Sequence, residues 1–231
     1  MRDGKSIYFN MTTKEKFETV FAYFSKTMPA PATELKYKDP YELLVAVILS
    51  AQCSDKRVNM ITPHFFTRYP DPESLSKAKL KDIFSIIKSC SYPNNKSKHL
   101  LGMAKKLSTD FKGIIPADTE LLQQLPGVGR KTAHVIASVL FGKPTLAVDT
   151  HVFRVSDRIG LTKNAKNPLD CEKQLVKHIP DKLISTVHHW LILHGRYTCK
   201  ARKPLCQNCG LSDLCQYYKN TIINHFKAKV L

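Results

Sequence analysis

Two stretches of the sequence place reactive side chains where they could work together. In "LPGVGRKTA" (125–133), Lys131 follows a proline and two glycines at the point where a helix is about to begin. Near the C-terminus, Cys199, Cys206, Cys209 and Cys215 form a C-x6-C-x2-C-x5-C array in "CKARKPLCQNCGLSDLC". A lysine amine can act as a nucleophile that attacks a sugar C1′ and forms a Schiff base. The attack needs the neutral amine, so its pKa must fall from about 10.4 toward about 7–8, through desolvation and neighbouring cations such as Arg130. The plainer reading of Lys131 is one more phosphate contact in a basic protein.

The turn before Lys131 suits an anion. Glycines let the backbone bend tightly, and the following helix aims its positive dipole end and unpaired N–H donors into the turn. A phosphate fits there. Walker A and dinucleotide fingerprints both fail: Arg130 separates Gly129 from Lys131, and a third glycine and a preceding strand are missing. What remains is a helix-hairpin-helix that grips a nucleic-acid backbone, or an ordinary helical corner. Gly127, Val128, Gly129, Arg130 and Thr132 are its candidate DNA contacts.

Asp149, in "TLAVDTHVFRVSDRIG", stands between an apolar tripeptide and a helical run that stops at Gly160. It can be a helix N-cap, or a carboxylate that stabilises positive charge on a sugar as its base departs. An N-cap position also holds a carboxylate rigidly, so the two roles are compatible.

Four thiolates within one short segment can surround one metal centre. Structural zinc is the alternative, but two C-x2-C knuckles are its usual signature. One close pair with two longer arms favours a four-iron four-sulfur cluster. Arg196, Lys200, Arg202 and Lys203 lie beside the first ligands and become ordered phosphate contacts if a cluster fixes the loop. Cys53, Cys90 and Cys171 stand alone and read as ordinary buried thiols.

The elements that must carry these residues are helical. Phe17, Val20, Phe21 and Phe24 fall at helical spacing, and Ile83, Phe84, Ile86 and Ile87 crowd one face. Breaks are expected at 27–33, 69–74, 91–95, 113–118, 126–129, 141–145 and 164–168, so an all-α fold of closely spaced helices follows. A short helix is expected from Asp118, and the tail "NHFKAKVL" reads as loosely held.

The 231 residues carry 36 basic and 19 acidic side chains, a formal charge of +17. That balance selects a polyanionic partner, nucleic acid first and an anionic membrane second. The longest apolar run, Leu43 to Leu49, is far short of the roughly 20 residues that span a bilayer, so no membrane role is expected. The start, "MRDGKSIYFN", shows no targeting pattern. An odd cysteine count of seven in a reducing compartment argues against a disulfide framework. The expected location is the cytoplasm, with the nucleoid in a prokaryote.

Taken in order, "LLVAVILSAQCSDKRVN", "LPGVGRKTA", "AVDTHVFRV", "HHWLILHGRYTC" and the cysteine array resemble the endonuclease III family of helix-hairpin-helix DNA glycosylases, over about residues 13 to 218. The resemblance implies two helical domains with a DNA-binding cleft between them: a six-helix domain at 33–143, and an iron-sulfur domain at 12–32 plus 144–231. It matches Lys131 to the family's Schiff-base lysine, Asp149 to its essential aspartate, and the four cysteines to its cluster ligands. The implied activity is removal of oxidised pyrimidines from duplex DNA, followed by β-elimination at the abasic sugar. The expected protein acts as a monomer on double-stranded DNA that holds damaged pyrimidines or abasic sites. Gln52 resembles the residue that fills the space left by the flipped base. The family's leucine wedge is replaced in "SCSYPNNK", where Tyr92 is the candidate. A monofunctional glycosylase and a non-catalytic metal-stabilised DNA-binding protein remain the alternatives.

Overall fold

A computed structural model describes residues 11–221; the "MRDGKSIYFN" segment and the "NHFKAKVL" tail lie outside the described residues. The helices are α1 (Thr13–Thr27), α2 (Pro40–Ser50), α3 (Asp55–Arg68), α4 (Pro72–Ser76), α5 (Leu80–Ile87), α6 (Pro93–Asp110), α7 (Thr119–Gln123), α8 (Arg130–Phe141), α9 (Thr150–Ile159), α10 (Pro168–Val176) and α11 (Ile184–Tyr197). Among the described residues there is no strand, and no helix is long and apolar enough to cross a membrane.

The chain divides into two compact units, Thr33–Ala147 on one hand, and the described residues up to Ala32 with those from Val148 onward on the other. In the first unit, α2 is the central element: every residue from Tyr41 to Leu49 is buried. Its neighbours Leu75, Ile83, Ile87, Leu100, Met103 and Ile136 are fully buried with it. Burying a large aliphatic side chain contributes about 1.5–3 kcal/mol, so this cluster dominates the unit's stability. The apolar run that is too short for a membrane is therefore the core helix.

Three of the expected breaks are helix starts. Pro72, Pro93 and Pro168 each occupy the first turn of a helix, where a missing N–H costs nothing and the ring's fixed φ is already helical. The break at 69–74 thus contains the first residues of α4, and that at 91–95 the first of α6.

In the second unit, α1 supplies Phe17, Val20 and Phe24, all buried. Phe24 stacks on Trp190 of α11 with ring centroids 5.7 Å apart, and the Trp190 indole N–H donates to Met28 O at 2.8 Å. The N-terminal helix is thereby fixed to the last long helix, across 162 positions of the chain. Helices α9 and α11 cross closely at Gly195, where a Cβ would lie 2.9 Å from the His151 Cβ.

Candidate active site

The hairpin is α7, a tight turn, and α8. Asp118 caps α7 by accepting from the N–H groups of Glu120 and Leu121 at 2.8 and 2.9 Å. Leu122 and Leu125 anchor it in the core. In the turn, Gly127 has φ +83 and a Cβ there would lie 2.8 Å from His99 Cβ, so both the backbone angle and the space require glycine. Val128 is buried and its N–H donates back to Leu125 O at 3.0 Å, which makes it the turn's internal plug.

Gly129 differs: a Cβ there would meet nothing within 4 Å. It is the N-cap of α8 and supplies no side-chain cap, so the N–H groups of Lys131 and Thr132 lack an intrahelical acceptor and face an open approach. Lys131 lies in that first turn and is exposed, as is Arg130. Any desolvation of the Lys131 amine must therefore come from a bound partner.

Farther along α8, His134 is buried; its backbone O accepts from Thr145 Oγ1 at 2.8 Å, and its Nδ1 lies 3.3 Å from Leu146 O. These contacts tie the segment that leads toward Asp149 back onto the lysine's own helix. Spacing gave no hint of them.

Asp149 is the N-cap of α9. Its Oδ1 accepts from the N–H groups of His151 and Val152 at 2.9 and 2.8 Å, so both capping bonds fall on one oxygen. The carboxylate is held rigidly while Oδ2 takes no part in the cap. His151 is half-buried, and burial holds its imidazole pKa below the ordinary value. Its neutral ring lies 3.2 Å from an Arg154 nitrogen.

The four cysteines line a single recess, together with His194 and Tyr217. Burial pushes the Cys206, Cys209 and Cys215 thiols up, and burial holds His194 at about 4, so its imidazole is neutral. The Cys209 sulfur is 3.7 Å from His194 Nε2. Among the described residues, no three ligating groups are gathered as a single metal ion would need them. Four thiols spread around one recess suit a multi-atom cluster, which would bind them as thiolates.

Two arginines of α9, one turn apart, hold the loop. Arg154 donates to Gly195 O at 2.9 Å and Cys199 O at 3.2 Å. Arg158 donates to Lys200 O at 2.7 Å and Ala201 O at 3.1 Å, and its guanidinium lies over the Tyr217 ring at 4.3 Å. The planar fork of each arginine satisfies two carbonyls at once. Lys200, Arg202 and Lys203 are exposed on the loop so formed, Arg196 is half-buried, and Lys203 has φ +52. Both clamping arginines escape a reading by spacing because their partners lie some forty residues downstream.

Back in the first unit, Gln52 and Tyr92 share an unusual feature: φ of +53 and +55 in non-glycine residues. The αL region is rare for such side chains, and an aromatic there is a true outlier. Ser91 Oγ donates to Gln52 O at 2.7 Å and joins the two turns. Lys96, buried, donates to Leu49 O and Ala51 O, both at 2.7 Å. Gln52 and Tyr92 are exposed beside each other on this braced support.

Comparison with known proteins agrees with the geometry. The profile of the HhH-GPD superfamily base excision DNA repair protein matches residues 45–181, and that of the iron-sulfur binding domain of endonuclease III matches residues 199–215. Endonuclease III of Rickettsia conorii is 48% identical over 201 residues, covering 87% of this chain and 95% of that protein. Two solved structures superpose with TM-scores of 0.88, each covering 92% of this chain and 100% of the other. One is a non-covalent endonuclease III–DNA complex at 39% identity. The other is a trapped endonuclease III–DNA covalent intermediate at 40% identity. The hairpin, the capping aspartate and the cysteine-lined recess thus occur in an order and fold shared along nearly the whole chain, and the protein belongs to the HhH-GPD superfamily of base excision DNA repair proteins, within its endonuclease III branch.

Proposed function

We propose that Lys131 and Asp149 are the catalytic residues of a bifunctional DNA glycosylase and abasic-site lyase that removes oxidised pyrimidines from duplex DNA in base excision repair. The observation that carries this reading is the likeness to the trapped covalent endonuclease III–DNA intermediate, combined with a lysine exposed in the first turn of α8. A damaged base pairs and stacks poorly, so turning its nucleotide out of the duplex costs less than for a normal one. Asp149, braced through Oδ1, has Oδ2 to oppose positive charge that develops on the sugar as the base leaves. The neutral Lys131 amine attacks C1′, the base departs with the bond's electron pair and takes up a proton, and breaking of the sugar's C1′–O4′ bond, with a proton passing from the nitrogen to O4′, leaves a C1′ imine. The resulting imine acidifies the C2′ protons, and loss of one expels the 3′ phosphate.

The proposed division of labour gives the hairpin to the 33–143 domain, and the aspartate and cluster loop to the 12–32 plus 144–231 domain. Cys199, Cys206, Cys209 and Cys215 hold the four-iron four-sulfur cluster, which fixes the loop so that Lys200, Arg202 and Lys203 meet phosphates. Arg196, Gly127, Val128, Gly129, Arg130 and Thr132 complete the backbone grip, Val128 by shaping the turn from within. Gln52 and Tyr92 occupy the gap left by the extruded nucleotide. A DNA substrate puts the place of work in the cytoplasm, at the nucleoid in a bacterial cell.

Incision of a duplex that holds one thymine glycol tests the reading. β-elimination leaves an unsaturated aldehyde as the new 3′ end and a phosphate as the new 5′ end. Release of the free base with an intact strand would instead assign a monofunctional glycosylase. A second expectation concerns salt: with several phosphate contacts, affinity for the duplex should fall about 10³-fold or more between roughly 50 and 200 mM salt. A flat response would contradict the proposed grip.

A further inference from the structure

Cys53 and Cys90, isolated in the sequence, are brought near each other by the fold. Gln52 O accepts from Ser91 Oγ at 2.7 Å, and the adjoining residues, Cys53 and Cys90, lie close enough to act on each other's charge. Residue 52 thus meets 91 while 53 meets 90, so the two turns run past each other in register. Cys53 is partly exposed, whereas Cys90 is 4% exposed. Cys53 thus departs from the expectation of an ordinary buried thiol, while Cys90 is buried as expected.

Burial and charge act on the pair in opposite directions. The cationic groups that face it are the Lys96 ammonium and the Arg57 guanidinium, and both favour a thiolate. Lys96 is held in place by two backbone carbonyls, so its charge cannot swing away. Burial and the neighbouring Cys53 push the Cys90 thiol up to about 11. The partly exposed Cys53 is therefore the thiol that meets an outside reagent first, and Cys90 is the internal partner. None of the four recess cysteines takes part. Cys171 is buried, with its thiol pushed up to about 12 by burial, and has no such thiol partner.

We propose that Cys53 and Cys90 form an oxidisable dithiol that closes into a disulfide and locks the Gln52 and Tyr92 turns together. The oxidant is a low-molecular-weight disulfide. The Cys53 thiolate attacks one of its sulfurs, an S–S bond forms, and one small thiolate leaves. The Cys90 thiolate then attacks the Cys53 sulfur of this mixed disulfide and expels the second small thiolate. Two protein thiols are oxidised to one disulfide, and the small disulfide is reduced to two thiols. The disulfide brings the sulfurs to about 2 Å, and the turns that carry them are already joined at the next residue by the Ser91–Gln52 bond. The effect on activity rests on the proposed role of Gln52 and Tyr92; the cross-link does not.

The test treats the cluster-loaded protein with oxidised glutathione, alkylates the remaining thiols and maps peptides without reduction, while visible absorbance follows the cluster. The expected result is a Cys53–Cys90 cross-linked peptide pair that a reductant releases. Cys90→Ser should stop at glutathione attached to Cys53, and Cys53→Ser, at the more exposed position, should not react at all. Glutathione that accumulates on wild-type Cys53 without a cross-link, or reaction confined to the recess cysteines, overturns the dithiol. The cross-linked protein should incise damaged duplex about tenfold more slowly than untreated protein, with recovery on reduction, as expected when a positioned group is displaced slightly. Full activity in the cross-linked protein overturns the lock.

Discussion

Replacing Asp149 by asparagine is expected to slow base removal about 10³-fold while leaving affinity for damaged duplex and thermal stability close to those of the wild type. The argument rests on how the two oxygens are used. Oδ1 accepts both capping bonds of α9, and an asparagine oxygen serves as a cap equally well. The substitution therefore keeps the helix start and its rigidity, and removes only the negative charge. Asp149→Ala, by contrast, also removes the cap and should cost about 1 kcal/mol of stability in addition. Single-turnover release of the damaged base, measured beside the dissociation constant for the same duplex, separates the two effects. If Asp149→Asn loses stability and binding together, the residue is a cap and nothing more.

The parts of this site that the sequence revealed are those whose signal is local. The uninterrupted apolar run at Leu43–Leu49 announces a buried helix, and α2 is buried along nearly its whole length. Asp149 before a helical run and Gly160 after it mark a helix by its caps, and α9 begins and ends there, with Gly160 at φ +85. The cysteine array is compact enough to meet around one recess without help from distant residues. The hairpin was legible from its glycines, although only coordinates separate Gly127, which is confined by His99, from Gly129, which faces open space.

What stayed hidden depends on contacts between residues far apart in the chain. The Arg154 and Arg158 clamps, the His134 anchor and the Cys53–Cys90 pair have no periodicity of their own. Each exists because packing around α2 or between α9 and α11 brings two helix ends together. The proline-led breaks at 69–74 and 91–95 fall at real helix boundaries but reach into the helices that follow, for a different reason. Proline interrupts a helix from within but favours its first turn, and the residue type alone does not say which applies.

The second large effect concerns Lys131. Its amine is the only group in the proposed chemistry that becomes bonded to the DNA, so Lys131→Ala should lower strand incision at an abasic site by about 10³-fold or more. Because its side chain is exposed, truncation leaves the core intact, and the loss should appear without a change in folding. The position is also distinguishable from a phosphate contact. A lost phosphate contact weakens binding and reduces the salt dependence by about one charge, whereas a lost nucleophile removes the reaction and leaves most of the binding.

The most direct measurement mixes the protein with duplex DNA that holds one abasic site and adds borohydride. Hydride adds to the imine carbon and converts the C=N bond to a stable amine, which joins protein and DNA covalently. The predicted result is a cross-linked band with the wild-type protein and none with Lys131→Ala, and a cross-linked peptide that contains Lys131. A band that persists in Lys131→Ala, or its absence from the wild type, would contradict the assignment of Lys131 as the nucleophile.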